Sequence, residues 1–492
     1  MTDTATTATT AHDNAATAAP PASATPRPPP AQTSLAVLLA CSFAFIIVQL
    51  DVTIVNVALP AIGHQLQAGV SQLQWVVDAY TLGFAVFLLS AGAIGDRYGA
   101  HHVFMAGFVL FALASLACAL APDALLLNLA RAAQGVGAAL LVPSSLAILN
   151  TAYGHDRALL AKAIAWWTAA GGVSIAAGPV LGGVLMSALG WRSIFWVNIP
   201  ICLAGLWLTA RLAPAIGAQR HGPARSFDLP GQLLAIVALT AFVGAVIEIH
   251  ALGVTHGAVL AGFALALAAG AGFIAVERRS TSPMLPPALF ACPGFTPAVL
   301  FGVLVNFAYY GVIFILSFYL QTVRGFSVLH AGLVFLPLTG TFIFSNLASG
   351  WLQARSGARL PMLAGATVGA LGYGLLGIFG VSADAGFLAM LPGLVLIPAG
   401  MGLAVPAMTT AILSSVAPHQ GGTASAVLNT ARQVGGAIGV AVYGALVATP
   451  SVAAALAGIR GAMAVSTVLL LLGALVTVYG IARPAQHRGR HH

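Results

Sequence analysis

Apolar stretches of about twenty residues, the length at which an α-helix crosses a hydrocarbon core, recur along this chain from Leu35 to Ala482, separated by short polar breaks. About fourteen can be counted: Leu35–Ile62, Gln74–Ala93, His102–Ala121, Leu125–Leu149, Leu160–Leu189, Ile194–Leu212, Leu229–Ile249, Gly257–Val276, Phe295–Leu320, Leu329–Leu352, Leu360–Phe379, Ala385–Leu413, Ala424–Ala448 and Gly461–Ala482. A transmembrane barrel would instead show segments of about ten residues alternating polar with apolar, and that alternation is absent. The pattern predicts an all-α membrane protein.

Two breaks stand out. The basic one, Arg211 to Asp228, and the Pro-rich one, Ser280 to Pro293, flank two apolar runs and divide the chain into blocks of about six, two and six helices. The expected organisation is a disordered tail at 1–34, a six-helix bundle at 35–212, a linker with two extra transmembrane helices at 213–294, a second six-helix bundle at 295–482, and a tail at 483–492. The first tail is Thr, Ala and Pro with a single Arg27, too poor in large apolar residues to fold. It lacks a basic leader segment, and the run behind it is too long for a cleaved signal.

The outer blocks repeat. Setting Gly92-Ala-Ile-Gly-Asp-Arg-Tyr-Gly-Ala100 on Gly350-Trp-Leu-Gln-Ala-Arg-Ser-Gly-Ala358 matches Gly92 with Gly350, Arg97 with Arg355 and Gly99 with Gly357, and Ala106-Gly107 then falls on Ala364-Gly365 without a gap. Both copies lie between the second and third runs of their block. Parallel duplication of a six-helix bundle is the economical reading, and it places a site at the interface of the halves.

Composition agrees: of 492 residues 59% are hydrophobic and only 6% charged, against about 25% charged in a soluble domain. A net charge of +8 could suggest nucleic acid, but the basic residues mark topology instead. Arg97, Arg157, Lys162, Arg211, Arg220, Arg225, Arg278, Arg279, Arg355, Arg359, Arg483, Arg488 and Arg490 fall in alternate gaps or at the C-terminus, which the positive-inside rule makes cytoplasmic, with both termini on that side. Arg192, Arg324 and Arg460 are exceptions. Cys41, Cys118, Cys202 and Cys292 show no paired spacing and read as small hydrophobes rather than disulfide or metal partners.

Several segments together resemble the major facilitator superfamily, specifically its fourteen-helix drug:proton antiporter branch of multidrug and antibiotic exporters. Leu50-Asp51-Val-Thr53-Ile-Val-Asn56-Val-Ala58-Leu59-Pro60 is similar to that branch's first-helix segment, and Gln74-Trp75-Val-Val-Asp78-Ala-Tyr80-Thr-Leu82 to its second. Gly92 to Gly99, with Asp96 and Arg97, resembles the family's gating loop between helices two and three; Arg131-Ala-Ala-Gln134-Gly135-Val-Gly137 resembles its fourth-helix motif. Gly178-Pro179-Val-Leu-Gly182-Gly183 resembles the fifth-helix motif of exporters, and Trp191 to Pro200 and Asn429-Thr-Ala-Arg432-Gln433-Val-Gly435-Gly436 complete the set. The resemblance implies two six-helix bundles plus two extra central helices, alternating access, and proton coupling in a multi-pass protein of the cytoplasmic membrane. One departure is Ala100-His101-His102, where the family loop usually carries two basic residues, so His101 is either a pH-sensitive element near neutrality or a solvated side chain.

The candidate chemistry lies in charges at bilayer depth. An isolated carboxylate there costs roughly 2.5–3.5 kcal/mol on insertion scales, so Asp51 must be offset by a partner, a cavity or a proton. Arg131 and Arg432 stay charged when buried and must face a carboxylate, carbonyls or a polar cavity. Asp51 and Asp78 are the acids of the first two runs, and Arg131 is expected to couple to one of them, leaving open which is the principal proton site. Gly171, Gly172, Gly178, Gly182 and Gly183 allow close helix approach and Pro179 a kink, reading as a leak-controlling seam or as packing alone. Glu248 reads first as an interfacial acid. Trp166, Trp167, Tyr309, Tyr310, Phe314, Phe318 and Tyr319 either line a cavity for planar molecules or pack.

Lys162 is the chain's sole lysine, within Ala161-Lys162-Ala163, so no phosphate-binding GxxxxGK[ST] loop exists here; neither HExxH nor GxSxG appears. The expectation is a cofactor-free transporter rather than an enzyme, expelling a lipophilic organic compound, cationic or neutral, in exchange for protons, as a monomer. Import of a small organic solute is the alternative.

Overall fold

The computed structural model describes Thr2 and residues 31–153, 156–216, 228–280, 283, 285–416, 420–448 and 451–481. The tails expected at 1–34 and 483–492 thus lie outside the described residues, apart from Thr2 and the first turn of the first helix. In chain order the helices are α1 (Ala31–Leu66), α2 (Val70–Tyr98), α3 (Ala100–Leu120), α4 (Ala124–Tyr153), α5 (Arg157–Leu189), the short α6 (Ser193–Trp196) and α7 (Asn198–Ile216). Then come α8 (Leu229–Leu252), α9 (Gly257–Arg279), the short α10 (Pro287–Phe290), α11 (Phe295–Phe318), α12 (Val328–Val334), α13 (Leu336–Ser356), α14 (Arg359–Leu375), α15 (Phe387–Ser414), α16 (Gly421–Val447) and α17 (Val452–Gly480). Helix is what a bilayer demands of a single segment, because it satisfies every backbone donor and acceptor internally. Among the described residues eleven spans are long and apolar enough to cross a membrane, or twelve with the bent α5. The chain is a multi-pass, all-helical membrane protein.

The two outer blocks pack alike. In the first, α1 lies on α5 and α7, α2 on α4, and α3 on α4 and α7; in the second, α11 lies on α16 and α17, α13 on α15, and α14 on α15 and α17. The repeated loop keeps its turn as well: Gly99 and Gly357 hold φ of 89° and 69°, left-handed values that a side chain resists, and their N–H groups cap α2 and α13 by bonding Gly95 O and Gln353 O at 2.9 Å each. The expected run Leu329–Leu352 is divided at Phe335 into α12 and α13.

The halves meet along α2 with α16, α5 with α12 and α13, and α1 with α11. Polar ties between them lie mostly toward the end carrying the α1–α2 turn. Gln74 Nε2 donates to Ala441 O at 2.8 Å, Ser317 Oγ to Asn56 O at 2.7 Å and Gln321 Nε2 to Val57 O at 3.0 Å. Nearer the middle, Thr430 Oγ1 donates to Ala85 O at 3.2 Å. At the end carrying the α2–α3 turn, Gly92 and Gly350 face open space.

Arg97, Lys162, Arg211, Arg278, Arg279 and Arg355 are exposed, all on the helix ends that share the side of the α2–α3 turn. The three exceptions lie at the other end and are spent on carbonyls. Arg192 donates to Ala121 O at 3.0 Å, Arg324 to Ala385 O, and Arg460 twice to Val381 O, at 3.0 and 2.8 Å. Each staples a loop to the neighbouring helix end, which accounts for basic residues on the charge-poor side.

Helices α8 and α9 pack on each other, and α8 also touches both α2 and α16. Buried Gln232 of α8 accepts from Ser90 Oγ and donates to Val86 O at 3.1 Å, both on α2. Further along, Val243, Val246 and Ile247 form an apolar cluster with Leu82 of α2 and Ala437 and Ala441 of α16.

Candidate functional site

Asp51 stands midway along α1 with no exposed surface, and side chains from three other helices close around it. Arg131 Nη1 donates to Asp51 Oδ2 as a buried ion pair. Gln134 Nε2 and Asn198 Nδ2 donate to Asp51 Oδ1 at 2.9 and 3.0 Å. Ser115 Oγ on α3 accepts from Gln134 at 2.9 Å and from Asn198 at 3.4 Å. Arg131 and Gln134 sit three apart on α4 and so share one face; Arg131 Nη1 also donates to Gln134 Oε1 at 2.7 Å.

Helix α2 supplies the rest. Arg131 Nε donates to Val76 O at 2.9 Å, and its guanidinium carbon lies 4.3 Å from the centroid of the Tyr80 ring, a cation–π distance. Two glycines make that reach possible by letting the backbones touch: a Cβ at Gly83 would be 2.6 Å from Ala132 O, and one at Gly135 would collide with Tyr80 O. Tyr80 is in turn held by its hydroxyl, which donates to Val48 O of α1 at 3.1 Å.

The arrangement satisfies a buried charge pair. Protonating Asp51 removes the negative charge that Arg131 neutralises, while Gln134, Val76 O and Tyr80 remain to hold the arginine. Removing one member of such a pair is costly, about 3–5 kcal/mol, because the other is left uncompensated.

Asp78 lies elsewhere. It is fully buried, and neither carboxylate oxygen has a hydrogen-bond partner among the described residues. Its helical neighbours one turn away, Gln74 and Leu82, both face α16, so Asp78 points toward the seam while Val76 and Tyr80 point toward Arg131. The sequence left Arg131 to either acid; the structure joins it to Asp51.

Arg432, on α16, is partly buried in the second half, where its Nε and Nη1 each lie 3.5 Å from an amide oxygen, those of Asn306 and Asn429. Gln433 beside it is buried. At the α2–α3 turn Arg97 is exposed and its guanidinium lies 5.5 Å from the Tyr98 ring; the Asp96 side chain lies outside the described residues. His101 is not simply solvated, since its Nε2 donates to Thr209 O of α7 at 3.3 Å.

The glycine-rich segment of α5 faces two partners at once. A Cβ at Gly178 would strike Thr53 Oγ1, and one at Gly182 would lie 2.9 Å from Ile54 Cγ1, both on α1; one at Gly183 would lie 3.2 Å from Leu329 Cα in the other half. Pro179 removes the ladder bond to Ile175, and α5 bends by 45° between Lys162–Ile175 and Ala177–Leu189. Among the aromatic candidates, Trp167 stacks on Phe45 at 3.8 Å, Tyr319 bonds Ser382 O at 2.7 Å, Tyr309 and Phe314 are in the core, Tyr310 and Phe318 are partly buried, and Trp166 is exposed. Glu248 is half-buried near the end of α8. No group of His, Cys, Asp and Glu able to hold a metal occurs among the described residues.

Ser115 and Gln232 were not singled out by sequence reasoning, and Gln74 and Tyr80 stood in the second-helix motif without a role. Gln134 and Asn198 were present in quoted motifs without a role; their spacing from Arg131 and from Trp191 carried the only signal.

The family model that describes the Major Facilitator Superfamily matches residues 41–440. The methylenomycin A resistance protein of Streptomyces coelicolor is 38% identical over 419 residues, 84% of this chain and 86% of that protein. The multidrug resistance protein Stp of Mycobacterium tuberculosis is 38% identical over 417 residues, 85% and 76% of the two chains. The tetracenomycin C resistance and export protein of Streptomyces glaucescens is 36% identical over 415 residues, 84% and 76%. Among solved structures, a bacterial homologue of the human lysosomal transporter Spinster, in an inward-facing and occupied conformation, matches the fold with a TM-score of 0.63 at 16% identity, over 91% of this chain and 98% of that one.

Proposed function

Because the chain belongs to the major facilitator superfamily, we propose that it is a drug exporter of the fourteen-helix antiporter branch, expelling antibiotic-like organic compounds across the cytoplasmic membrane in exchange for protons. Relatives that carry resistance and export names at 36–38% identity support the efflux. Helices α2 and α16, with 29 and 27 residues, would bring the twelve spans that include the bent α5 to fourteen. The single observation that carries the coupling is the buried ion pair of Asp51 and Arg131, sealed from water inside the first half.

In this reading both termini are cytoplasmic, so the tied end of the seam is external and the conformer faces inward. Asp51 is the principal proton site and Arg131 the group that restores its charge. A proton arriving from outside dissolves the pair and loosens α1 from α4; when the site turns inward, Arg131 draws the carboxyl back to its anion and the proton leaves. Each proton driven by the membrane potential contributes about 2.3 kcal/mol per 100 mV, enough for more than tenfold accumulation. Asp78, lacking a partner, serves as a neutral seam residue or second proton carrier. Gly92, Asp96, Arg97 and Gly99 form the cytoplasmic gate, and Gly178, Pro179, Gly182 and Gly183 the pivot that limits leak. With both halves in one chain, a monomer suffices.

Everted membrane vesicles provide the test. An exporter accumulates substrate when their interior is acidified, and Asp51→Asn should abolish that accumulation. Accumulation in the opposite sense would instead establish import, and indifference to any pH step would remove proton coupling altogether.

A further inference from the structure

The charges in the middle of the membrane are not all paired. Asp51 cancels Arg131. Asp78 has no hydrogen-bond partner for either oxygen among the described residues, a situation its neutral form tolerates and its anion does not. Arg432 then remains as a cation facing only the neutral amide oxygens of Asn306 and Asn429. Asp78, five residues from the level of Arg432 on α2, makes no ion pair with it, and among the described residues no acid lies within salt-bridge distance of Arg432. The pairs Gln74–Ala441 and Ala85–Thr430 put Arg432 opposite Gly83, so at about 1.5 Å per residue Asp96 lies roughly 20 Å away along the helix. The α8 cluster that sets Val243 to Ile247 beside Ala437 and Ala441 likewise leaves Glu248 about 14 Å beyond.

The position suits recognition. Arg432 is partly open rather than sealed, and it stands where α16 meets both α11 and α2, on the seam of the two halves. One turn further along α16, Gly436 lets the Tyr310 ring lie close: a Cβ there would be 2.8 Å from Tyr310 Cδ2. A guanidinium presents two parallel N–H groups that match a carboxylate, and an adjacent aromatic ring offers a flat apolar surface to the rest of the molecule.

Resting on the efflux reading above, we propose that Arg432, framed by Asn306 and Asn429, is the point at which the transported compound is held by a negatively charged group, so that the substrates of this exporter are organic acids. The sequence had suggested cationic or neutral cargo on the strength of two carboxylates. One of these is already committed to Arg131 and the other is fully buried, whereas the partly open ionisable group at the seam is the Arg432 cation.

The test is equilibrium binding of three dansyl probes, dansylglycine, its methyl ester and dansylcadaverine, to the purified full-length protein in phosphatidylcholine nanodiscs. The wild type should prefer the acid over the ester by about tenfold; Arg432→Gln should bring the ratio close to one, and Arg432→Lys should keep part of it. A merely structural arginine would weaken all three probes together. No preference for the acid in the wild type, preference for the cation, or a preference unchanged in Arg432→Gln each overturns the proposal. So does loss of the preference on adding phosphatidylglycerol, which would make a lipid headgroup the occupant. Should Arg432→Gln not fold, Asn306→Leu with Arg432→Lys supplies the same ratio. Proton-driven accumulation in vesicles is read separately, so failure of the efflux reading leaves this preference measurable.

Discussion

Gln74 crosses from the first half of the protein to the second and donates from one amide nitrogen to two successive carbonyls of α16, Ala441 O at 2.8 Å and Val440 O at 3.3 Å. The bond forms because Gly444 stands one turn on: any Cβ there would strike the Gln74 amide. A polar side chain buried in an apolar seam has few other partners, so the tie holds the halves together at this end.

Replacing Gln74 by Leu removes the tie while keeping the bulk. The expected cost is about 0.5–1.5 kcal/mol, taken entirely from the conformer closed at this end. A cysteine introduced near the α1–α2 turn should therefore react faster with a maleimide in the Gln74→Leu background, as the population shifts toward the state open at this end. Unchanged labelling would show that the apolar contacts alone close the seam.

The ion pair makes a sharper forecast. Asp51→Asn leaves Arg131 buried without its counter-charge, and the expected loss is about 3–5 kcal/mol, offset in part by Gln134, Val76 O and Tyr80. Arg131→Lys should also fail, because an ammonium cannot reach Val76 O and Asp51 together in the way the fork of Nε and Nη1 does. Thermal unfolding in detergent checks the first, with a marked fall in Tm expected. Substrate accumulation against an imposed pH gradient checks both and should be lost.

Glycines of one helix should answer differently to the same methyl group. At Gly172 an added Cβ meets nothing within 4 Å, so Gly172→Ala should stabilise α5 by about 0.4–1 kcal/mol through reduced freedom of the unfolded chain. At Gly182 the Cβ would be 2.9 Å from Ile54 Cγ1, and Gly182→Ala should cost about 1–3 kcal/mol by overpacking. Melting of the two variants side by side separates a pivot built on close approach from a generic glycine-rich helix.

Much of the fold was legible because a bilayer imposes one period and one length on every segment, and because a buried charge is too costly to be accidental. Asp51, Arg131 and Arg432 announced themselves on that ground. Gln134, Asn198, Ser115 and Gln232 did not, since an uncharged amide or hydroxyl among apolar residues is cheap enough to be packing. Which acid Arg131 would choose was open for a different reason: Val76 and Tyr80 face α4 while Asp78 faces α16, and that rotation of α2 depends on Gly83 and Gly135 rather than on any property of the acids. The break at Phe335 had a signal, Pro337 in the first turn of α13, which a count of apolar residues from Leu329 to Leu352 passes over.

Helix α8 invites the last prediction. Gln232, 1% exposed, accepts from Ser90 Oγ and donates to Val86 O, whereas further along α8 its contacts with α16, through Val243, Val246 and Ile247, are apolar. A directional polar pin on one half and a non-directional apolar surface on the other let the halves move relative to each other with α8 riding on the first. Gln232→Leu should unpin it, leaving Ser90 Oγ without its acceptor at a cost of about 1–3 kcal/mol. The apolar contacts would then be free to carry α8 with either half. A disulfide between cysteines placed on α8 and α2 near Gln232 should form readily in the wild type throughout the transport cycle and spare transport; one placed between α8 and α16 should form in a single conformer and arrest it. If both crosslinks spared transport equally, α8 would be a passive lipid-facing addition with no allegiance to either half.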